Sequence, residues 1–553
     1  MSRDHWLITT PPPTPNGDLH LGHLSGPYLG GDILSRHLRR CGHTVGYVSG
    51  IDDHQSSTHL ASLQGACSPE EVADRYAERI RRAWTKAEIV IDECWLPRAS
   101  AQHRELAAAM FAKLYTQGHI VPRTTDLPYC ANCQRWAYEA YVTGGCPHCG
   151  EPSCGNSCEA CGLPNDNGDL KAPRCVVCDS ACGLRSATRL YFPLEPWRRR
   201  LEEYVDQTSM SHHLQALAAR LLSRPLPEIA VSHPSGWGLE LPADGYDDQR
   251  MYVWFEMAAG YLSATRQFAG DREWADLWEA PSRVVQFFGF DNGYFHTLLI
   301  PAILFAYDAK LTGPSTLVCN EFYQLTGQKF STSRDHAIWL LEVLDRVPAS
   351  LLRLYVSWTR PSTRQTNFTW EEFDAFCREG PPARWREWLS ALSERREHAV
   401  KLAGQLGDET GDELLTVRFG GRVQDLLSGV DTALSAEEFS PRRALLLLDQ
   451  LADEACEFGA GLDTCGDVPM LERTYVEGVR AELGAAAGLA AGLYPIAPAL
   501  AEELWAALKP ESSLPRTPWH QVASMAVTVP LASGDIMTEC PLLRAGEYGR
   551  HTG

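Results

Sequence analysis

Apolar and polar positions divide the chain into a first part that alternates strands with helices and a last part of long helices. Residues 6–10 (WLITT) form a short apolar run, which predicts a buried strand, and residues 24–40 carry apolar side chains at helical spacing. Residues 44–54 then predict a second strand and a loop. A strand, a helix and a strand in this order are typical of a βαβ unit in a parallel sheet.

The same patterns predict the elements further along the chain. Helical spacing continues over 69–118 and returns over 188–225, and a second α/β half follows near 250–325. In that half the apolar runs MYVWF, RVVQFFGFD and STLVCNEF are predicted strands, with helices between them. From about residue 379 helical spacing predicts an α-helical bundle. Its segments lie at 384–405, 412–430, 435–460 and 470–508.

Composition then excludes several classes of protein. With 553 residues, 44% hydrophobic and 22% charged, the chain is neither disordered nor fibrous. No run approaches the roughly 20 apolar residues of a membrane span, and the first residues lack a secretory signal, so we expect a cytoplasmic protein without membrane contact. The net charge of −20 argues against broad nonspecific binding of nucleic acid, though not against a local basic patch.

Cysteines are concentrated in one block. Of eighteen in the chain, ten lie between Cys130 and Cys182, and eight of these form four Cys-x-x-Cys pairs. Each pair supplies two thiolates and a tetrahedral zinc takes four, so the block predicts two structural zinc sites. A disulfide or redox cluster is the alternative, which a reducing cytoplasm disfavours. The predicted ligands are Cys130, Cys133, Cys146, Cys149, Cys158, Cys161, Cys175 and Cys178, with Cys154 and Cys182 left over.

Two histidines follow the first predicted strand. His20 and His23 lie three residues apart on the first helical turn, so they face one side, and Gly22 between them lets a flat ligand approach the backbone. The helix N-terminus adds amide donors and a positive dipole for phosphate. Such a pair alone is more often a surface or core feature. Its place directly after a strand and a Pro/Gly loop favours a phosphate site.

A polar loop follows the last predicted strand of the sheet. Lys329 can neutralise the charge of a triphosphate, and the hydroxyls of Ser331, Thr332 and Ser333 can bond its oxygens. An ordinary basic surface loop is the commoner origin of such a string. The loop and the histidine pair together are far more specific than either alone.

The two motifs carry a resemblance to the class I aminoacyl-tRNA synthetases, whose HIGH-type and KMSKS-type motifs stand at these places. Within that class the chain resembles methionyl-tRNA synthetases over essentially its full length. The supporting strings are PNGDLHLGHL (15–24), GIDDH (50–54), YVWFEMAAGY (252–261), FGFDNGYFH (288–296), QKFSTSR (328–334) and FTWEEF (368–373).

The resemblance implies the fold and its division along the chain. We expect an α/β fold, in which a Rossmann-type parallel sheet is split by a zinc-knuckle insertion and followed by an α-helical bundle. It also favours pairing of the two outer knuckles with each other and of the two inner ones, while consecutive pairing stays open. The expected divisions are 1–118 and 236–325 for the catalytic halves, 119–235 for the insertion, 326–378 for the KMSKS-like loop and linker, 379–510 for the bundle and 511–553 for the tail.

The resemblance also implies an ATP-dependent ligase reaction. An amino-acid carboxylate would attack the α-phosphorus of ATP, with Mg²⁺ accompanying the nucleotide, to give an aminoacyl adenylate and pyrophosphate. His20, His23 and Lys329 would hold the phosphates and stabilise the transition state, with Gly22 and the loop hydroxyls beside them. Asp291 and Asn292 would face the ribose, at the carboxyl end of a strand.

The resemblance further implies an amino-acid pocket. Asp52 matches the carboxylate that holds the substrate ammonium, and Trp254, Tyr261 and His296 match the residues around the side chain. From the residues alone, core packing would explain this aromatic set equally well. The pocket departs from the family pattern at Pro12, Thr14 and Met257, and His233 replaces a family arginine.

The bundle departs from the family pattern as well. The family carries an Asn…Arg pair and a Pro-Trp that recognise the methionine anticodon, whereas here only Arg395 or Arg396 is a candidate. We therefore expect an enzyme that transfers an activated α-amino acid to a small molecule or amino acid in secondary metabolism. A cupin-type partner of such an enzyme would be a separate protein. The alternative is an ordinary methionine–tRNA ligase, and a non-catalytic binding protein is a third hypothesis.

Overall fold

A computed structural model describes residues 4–65, 67–270, 274–280, 282–330, 336–406, 413–466 and 468–508, together with Leu531, Gly534, Ile536 and Cys540. A parallel sheet forms its centre. Within these ranges six strands pair in the order Ser209–Met210, Thr316–Asn320, Val284–Gly289, His5–Thr9, Thr44–Gly50 and Glu93–Trp95, and every neighbouring pair is parallel. The predicted Rossmann-type sheet is therefore confirmed.

The first half of the sheet comes from the first hundred residues or so. Its elements are β1 (His5–Thr9), α1 (Leu21–His23), α2 (Leu29–Arg40), β2 (Thr44–Gly50), α3 (Ser56–Gly65), α4 (Pro69–Lys86), β3 (Glu93–Trp95) and α5 (Ala101–Thr116). A π-helical segment, Leu24–Tyr28, joins α1 to α2 and kinks at Gly26. The segment predicted as helical over 69–118 contains the helices α4 and α5, but β3 was not predicted; it lies between them and forms the sheet edge.

The cysteine block lies within small antiparallel sheets. The strands are β4 (Val121–Cys130), β5 (Arg135–Trp136), β6 (Val142–Gly145), β7 (Pro152–Ser153), β8 (Asn156–Ser157), β9 (Pro164–Asn165), β10 (Lys171–Cys175) and β11 (Gly183–Pro193). After them come α6 (Arg198–Gln207), β12 (Ser209–Met210), α7 (His212–Leu222) and β13 (Glu228–Ala230). Residues 188–193 belong to β11, so the prediction of a helix there was wrong. A small core that includes Leu127, Tyr138 and Tyr141 supports this region.

One part of the predicted insertion belongs to the central sheet. Strand β12, which lies within 119–235, pairs in parallel with β17 (Thr316–Asn320) at the sheet edge. The paired stretch is two residues long, with Ser209 opposite Thr316 and Met210 opposite Leu317. The boundary predicted at residue 235 therefore does not separate the insertion from the sheet.

The second half of the sheet places its strands beside β1. Its elements are β14 (Ser232–Pro234), β15 (Gln249–Met251), α8 (Val253–Ala269), β16 (Val284–Gly289), α9 (Ile300–Tyr307) and β17. The run MYVWF was predicted as a strand. In the structure only its first residue, Met251, belongs to a strand, as the last residue of β15, and α8 begins at Val253. Helix α8 is buried on nearly all sides, so its apolar run lacks the one-sided pattern that identifies a surface helix.

A linker region and a helical bundle complete the described chain. The linker contains β18 (Tyr323–Leu325), β19 (Gln328–Lys329), α10 (Leu340–Val343), α11 (Ala349–Trp358), β20 (Thr366–Phe368) and α12 (Trp370–Glu379). The bundle contains α13 (Pro381–Ala403), α14 (Glu413–Ala433), α15 (Pro441–Asp463), α16 (Glu472–Leu493) and α17 (Pro498–Ala507). The predicted bundle is confirmed, and the segment predicted at 470–508 divides into two helices around Pro495.

Two hydrophobic cores cover the faces of the sheet. One packs α5, α8 and α9 against strands β1 and β16. The other begins at α2 and continues through α11 into the bundle, so the bundle and the catalytic half share one apolar interior. Ile536 and Cys540 of the predicted tail are buried in that interior. No helix among the described residues is long and apolar enough to cross a membrane.

Candidate active site

A cleft of about 350 Å³ opens at the carboxyl ends of β1, β2, β16 and β17. Ligands of open parallel sheets bind at such strand ends, because the loops that follow neighbouring strands converge there. Most of the predicted site residues line this cleft. They are Thr14, His20, Gly22, His23, Asp52, Trp254, Met257, Asp291, Asn292 and Lys329, with Pro12 among the other lining residues.

The predicted residues outside this set fall into two groups. Tyr261 and His296 are buried and stand behind the cleft wall instead of lining it. Ser331, Thr332 and Ser333 lie outside the described residues, so their predicted contacts with phosphate stay predictions.

The histidine pair lies at one end of the cleft. The ring centroids of His20 and His23 are 3.8 Å apart, and the backbone N–H of His20 donates to Nδ1 of His23 at 3.1 Å. Burial, followed by the charge of Lys329, lowers the pKa of His23 to about 4. His23 is therefore neutral near pH 7 and, because Nδ1 accepts, carries its proton on Nε2. Burial also lowers the pKa of His20, with His23 and Lys329 adding to the effect.

Gly22 leaves room for this arrangement. A Cβ atom at position 22 would lie 3.0 Å from the ring of His20 and 3.3 Å from Phe330. Phe330 in turn stacks on His20, with ring centroids 4.9 Å apart. Only glycine fits between these two rings without displacing one of them, and the predicted approach of a flat ligand to the backbone at this position stays a prediction.

Lys329 reaches the cleft from β19. Its ammonium lies 4.2 Å from the ring centroid of Phe322 and 2.6 Å from the carboxylate of Glu159, which belongs to the third Cys-x-x-Cys loop. The lysine side chain is 38% exposed and that of Glu159 is 60% exposed. The ion pair is therefore screened by solvent and weak, and it can exchange for a phosphate.

Two carboxyl groups mark other parts of the cleft, with Asp52 buried and Asp291 half-buried. Burial raises the pKa of Asp52 well above its ordinary value, and the neighbouring carboxylate of Glu256 adds to the shift. Burial likewise raises the pKa of Asp291, against the opposing charge of Lys329. An ammonium group beside Asp52 would supply the positive charge that this carboxylate lacks.

The apolar end of the cleft is an aromatic cluster. Trp254 stacks on Phe295 with ring centroids 3.7 Å apart, and its edge faces His296 at 5.7 Å. The hydroxyl of Tyr261 lies 3.8 Å from the sulfur of Met257. Burial lowers the pKa of His296 to about 3, so this ring is neutral. Of the two predicted residues that do not line the cleft, Tyr261 therefore contacts the lining residue Met257 and His296 contacts the lining residue Trp254.

Sequence reasoning missed a carboxylate that lies directly behind this wall. Glu256 is buried and accepts hydrogen bonds from Nδ1 of His54, at 2.9 and 3.0 Å, and from Nε2 of His103, at 3.0 Å. Burial would raise the pKa of Glu256, but the two histidines outweigh it and hold the pKa at about 2. Burial would lower the pKa of His54, but Glu256 outweighs it and raises the pKa.

Asn320, Glu321 and Gln55 are among the lining residues that were also missed, although a signal for two of these three was present. Asn320 and Glu321 directly follow the apolar run STLVC, and polar residues after a buried parallel strand favour a site. Gln55 shares the loop of Asp52 and bonds its carboxylate. No sequence pattern identified Gln55.

The cysteine block forms two separate groups of four thiols. One group contains Cys130, Cys133, Cys175 and Cys178, and the other contains Cys146, Cys149, Cys158 and Cys161. Sulfur–sulfur separations within the two groups include 3.5, 3.6, 3.9 and 4.0 Å. Four sulfurs at about 2.3 Å from a tetrahedral zinc would be about 3.8 Å apart, so both groups fit that ion. The outer-with-outer pairing agrees with this geometry, and consecutive pairing was wrong.

The arginines considered for anticodon recognition point into the bundle. Arg395 is 6% exposed at its side chain and donates to the buried carboxylate of Glu482 at 2.9 Å. Arg396 is fully buried and donates to the backbone oxygens of Ala507 and Leu508 at the end of α17. Neither side chain is presented to a ligand in this structure.

Comparisons with known proteins agree with this architecture. A family model described as "tRNA synthetases class I (M)" matches residues 6–378. The methionine–tRNA ligase of Pyrococcus furiosus is 33% identical over 386 residues, which are 66% of this chain and 53% of that protein. That of Thermomicrobium roseum is 36% identical over 368 residues, 65% of this chain and 63% of that protein. The chain spans about half the length of the first curated relatives that it matches.

A solved structure extends the likeness to the rest of the chain. The Mycobacterium tuberculosis methionyl-tRNA synthetase in complex with methionyl-adenylate superposes with a TM-score of 0.75 and covers 96% of this chain and 98% of that one. The two sequences are 16% identical, so this likeness shows the fold alone.

Proposed function

The chain belongs to the class I tRNA synthetases of the methionyl group, and we propose that it is an ATP-dependent ligase that activates methionine and transfers it to tRNA. The observation that supports this proposal is that His20, His23 and Lys329 lie together in the cleft at the carboxyl ends of the parallel strands. Asp52 lines the same cleft. One cleft thus holds groups for a triphosphate and a group for an ammonium.

The reaction joins a carboxylate to the α-phosphorus of ATP and releases pyrophosphate. No side chain has to act as a nucleophile, so the protein contributes position and charge. His23, neutral and protonated on Nε2, can donate a hydrogen bond from Nε2 to a phosphate oxygen. Lys329 exchanges Glu159 for the β- and γ-phosphates and balances their charge.

Asp52 is the group proposed to orient the amino acid. Its buried carboxyl is costly to ionise alone, and a substrate ammonium would remove that cost. Trp254 and Met257 then line the end of the cleft proposed for the substrate side chain. A thioether suits an aromatic wall, because sulfur makes favourable contacts with aromatic rings.

The proposal includes metal ions. Mg²⁺ would accompany ATP and spread the phosphate charge, and Asp291 is a carboxylate in the cleft that suits this hard cation. The two groups of four cysteines would each hold a structural Zn²⁺, because a closed set of four thiolates leaves no position for a substrate.

The expectation of a small-molecule acceptor is not supported by the relatives, which are named methionine–tRNA ligases, and nothing supports a cupin-type partner. The buried positions of Arg395 and Arg396 are the observation that favours a different acceptor. The acceptor is therefore the part of the proposal on which the experiment concentrates.

Two assays test the proposal in sequence. Methionine-dependent exchange of pyrophosphate into ATP is expected for the wild type and for His5→Gln, an exposed control, with a loss of about 100-fold or more in His23→Ala. Charging of total tRNA with methionine should follow. Exchange without charging would overturn the tRNA acceptor, exchange with a different amino acid would overturn the substrate, and no exchange with any amino acid would overturn the enzyme.

A further inference from the structure

A third group of metal-binding side chains lies far from the cysteine block. His37, Cys41 and Asp431 bring a ring nitrogen, a sulfur and a carboxylate oxygen within 4.8 Å of one another. His37 and Cys41 belong to α2 and the residue that follows it, whereas Asp431 belongs to α14 of the bundle. The group therefore spans the contact between the catalytic half and the bundle.

Helix geometry places two of the three groups together. His37 and Cys41 are four residues apart, so their side chains face the same side of the last turn of α2. Asp431 occupies the last turn of α14 and approaches from the opposite side. The side chain of His37 is 3% exposed and that of Asp431 is 46% exposed. The group is therefore shielded from solvent on the side of His37 and open to solvent on the side of Asp431.

The three separations match the edges of a tetrahedron around zinc. Cys41 Sγ lies 3.7 Å from His37 Nε2 and 3.5 Å from Asp431 Oδ1, and His37 Nε2 lies 3.5 Å from the same oxygen. With bonds of about 2.3 Å to sulfur and about 2.0–2.1 Å to nitrogen and oxygen, tetrahedral angles give edges of about 3.4–3.6 Å. A single ion could therefore bond all three atoms with little movement.

The charges of the group also suit a divalent ion. A thiolate and a carboxylate contribute two negative charges, and a neutral imidazole contributes none, so an ion of charge +2 leaves the site neutral. Arg40 is the cation that faces Asp431 from α2, and its Nη1 donates to the backbone oxygen of Ala491. One nitrogen of the Arg40 guanidinium is thus directed to α16. Oδ1 of Asp431 faces His37 and Cys41.

We propose that His37, Cys41 and Asp431 bind one Zn²⁺ ion that joins α2 to α14. Sulfur, imidazole and carboxylate are the ligands that zinc accepts together, and three protein ligands leave a fourth position for water on the exposed side. The ion would stabilise the contact between the catalytic half and the bundle, since it binds only when both helices are in place. The proposal does not depend on the identity of the substrate or the acceptor.

Zinc content tests the proposal directly. The full-length protein is equilibrated by dialysis against excess Zn²⁺, separated from free metal, and analysed by plasma mass spectrometry. We expect about three zinc ions per chain for the wild type and about two for Cys41→Ser and Asp431→Asn. The matched controls are Asp425→Asn, an exposed residue on the same helix, and Cys456→Ser, an exposed cysteine of the bundle; both should retain about three.

Cobalt substitution provides a second readout that identifies the ligands. Both the wild type and Cys41→Ser are loaded with Co²⁺, and the absorption spectrum of the variant is subtracted from that of the wild type. The difference should be the spectrum of four-coordinate cobalt with one thiolate, unlike the four-thiolate spectrum of the cysteine block. About two ions in the wild type would overturn the proposal, as would a third ion that persists in both variants. If Cys41→Ser fails to fold, the wild-type zinc count and that of Asp431→Asn decide the matter.

Discussion

Replacing Glu256 by glutamine tests whether the buried carboxylate holds the wall of the cleft together. Glu256 precedes Met257 on α8, and it accepts hydrogen bonds from His54, two residues after Asp52, and from His103 on α5. The substitution keeps the shape of the side chain and removes its charge. The change in stability therefore reports how much the negative charge of Glu256 strengthens these hydrogen bonds.

The magnitude follows from the two histidine contacts. A hydrogen bond to a charged group contributes about 1.5–3 kcal/mol and a neutral one about 0.5–1.5 kcal/mol. Exchanging both contacts from charged to neutral should lower the free energy of unfolding by about 2–3 kcal/mol, or roughly 30- to 150-fold in the folding equilibrium.

The loss of stability in Glu256→Gln should depend on pH, in a direction that follows from the two pKa shifts. The pKa of Glu256 in the folded protein, about 2, is below its ordinary value, so its contribution to stability is present above about pH 4.5 and is lost as the pH falls towards 2. The pKa of His54 is raised, so its contribution is present below about pH 6.5 and is lost as the pH rises through the folded value. The difference between wild type and Glu256→Gln should be larger at pH 6 than at pH 9.

Urea denaturation followed by tryptophan fluorescence at both pH values measures this difference. Glu105→Gln is the matched control, because Glu105 is exposed on the helix that carries His103. It should change the free energy by less than about 0.5 kcal/mol. If Glu256→Gln is no less stable than this control, or if its deficit does not shrink at pH 9, the assigned role of the carboxylate is wrong.

Three further predictions concern the cleft and the cysteines. Glu159→Gln should lower the apparent KM for ATP in the exchange assay by up to about fivefold, because the exposed ion pair with Lys329 contributes only about 0–1 kcal/mol; a higher KM, or a decrease well beyond about fivefold, would contradict the weak competition. Gly22→Ala should reduce exchange by up to about 100-fold, because the added methyl displaces a neighbouring ring, and full activity would show that the ring can move freely. Cys130→Ser should remove one zinc ion per chain while Cys154→Ser removes none; equal zinc contents would contradict the four-thiolate groups.

The local elements of the fold could be predicted because burial leaves a periodic pattern in the sequence. The strands at 6–10 and 284–289 and the helices of the bundle were found in this way. The pattern fails where an element is buried on all sides, as in α8, since every position is then apolar. It fails again for β12, whose two residues are too few to show any period.

The candidate site was predicted in the same uneven way. His20, His23 and Lys329 could be proposed because short motifs place polar groups next to strand ends, where ligands bind. Tyr261 and His296 were placed in the pocket by resemblance, but neither lines the cleft: Tyr261 contacts the lining residue Met257, and His296 contacts the lining residue Trp254. Side-chain layering of this kind depends on volume and packing, which the order of residues does not state.

The sequence by itself determined the type of fold, the strand-end motifs and the eight cysteines available for metal, because each of these depends on residues close together in the chain. The tertiary structure decided which cysteine pairs share a site, which histidines bond Glu256, and that Asp431 meets His37 and Cys41. The physical reason is that such contacts join residues tens to hundreds of positions apart. Their proximity is set by how the sheet, the insertion and the bundle pack, and local periodicity carries no information about that packing.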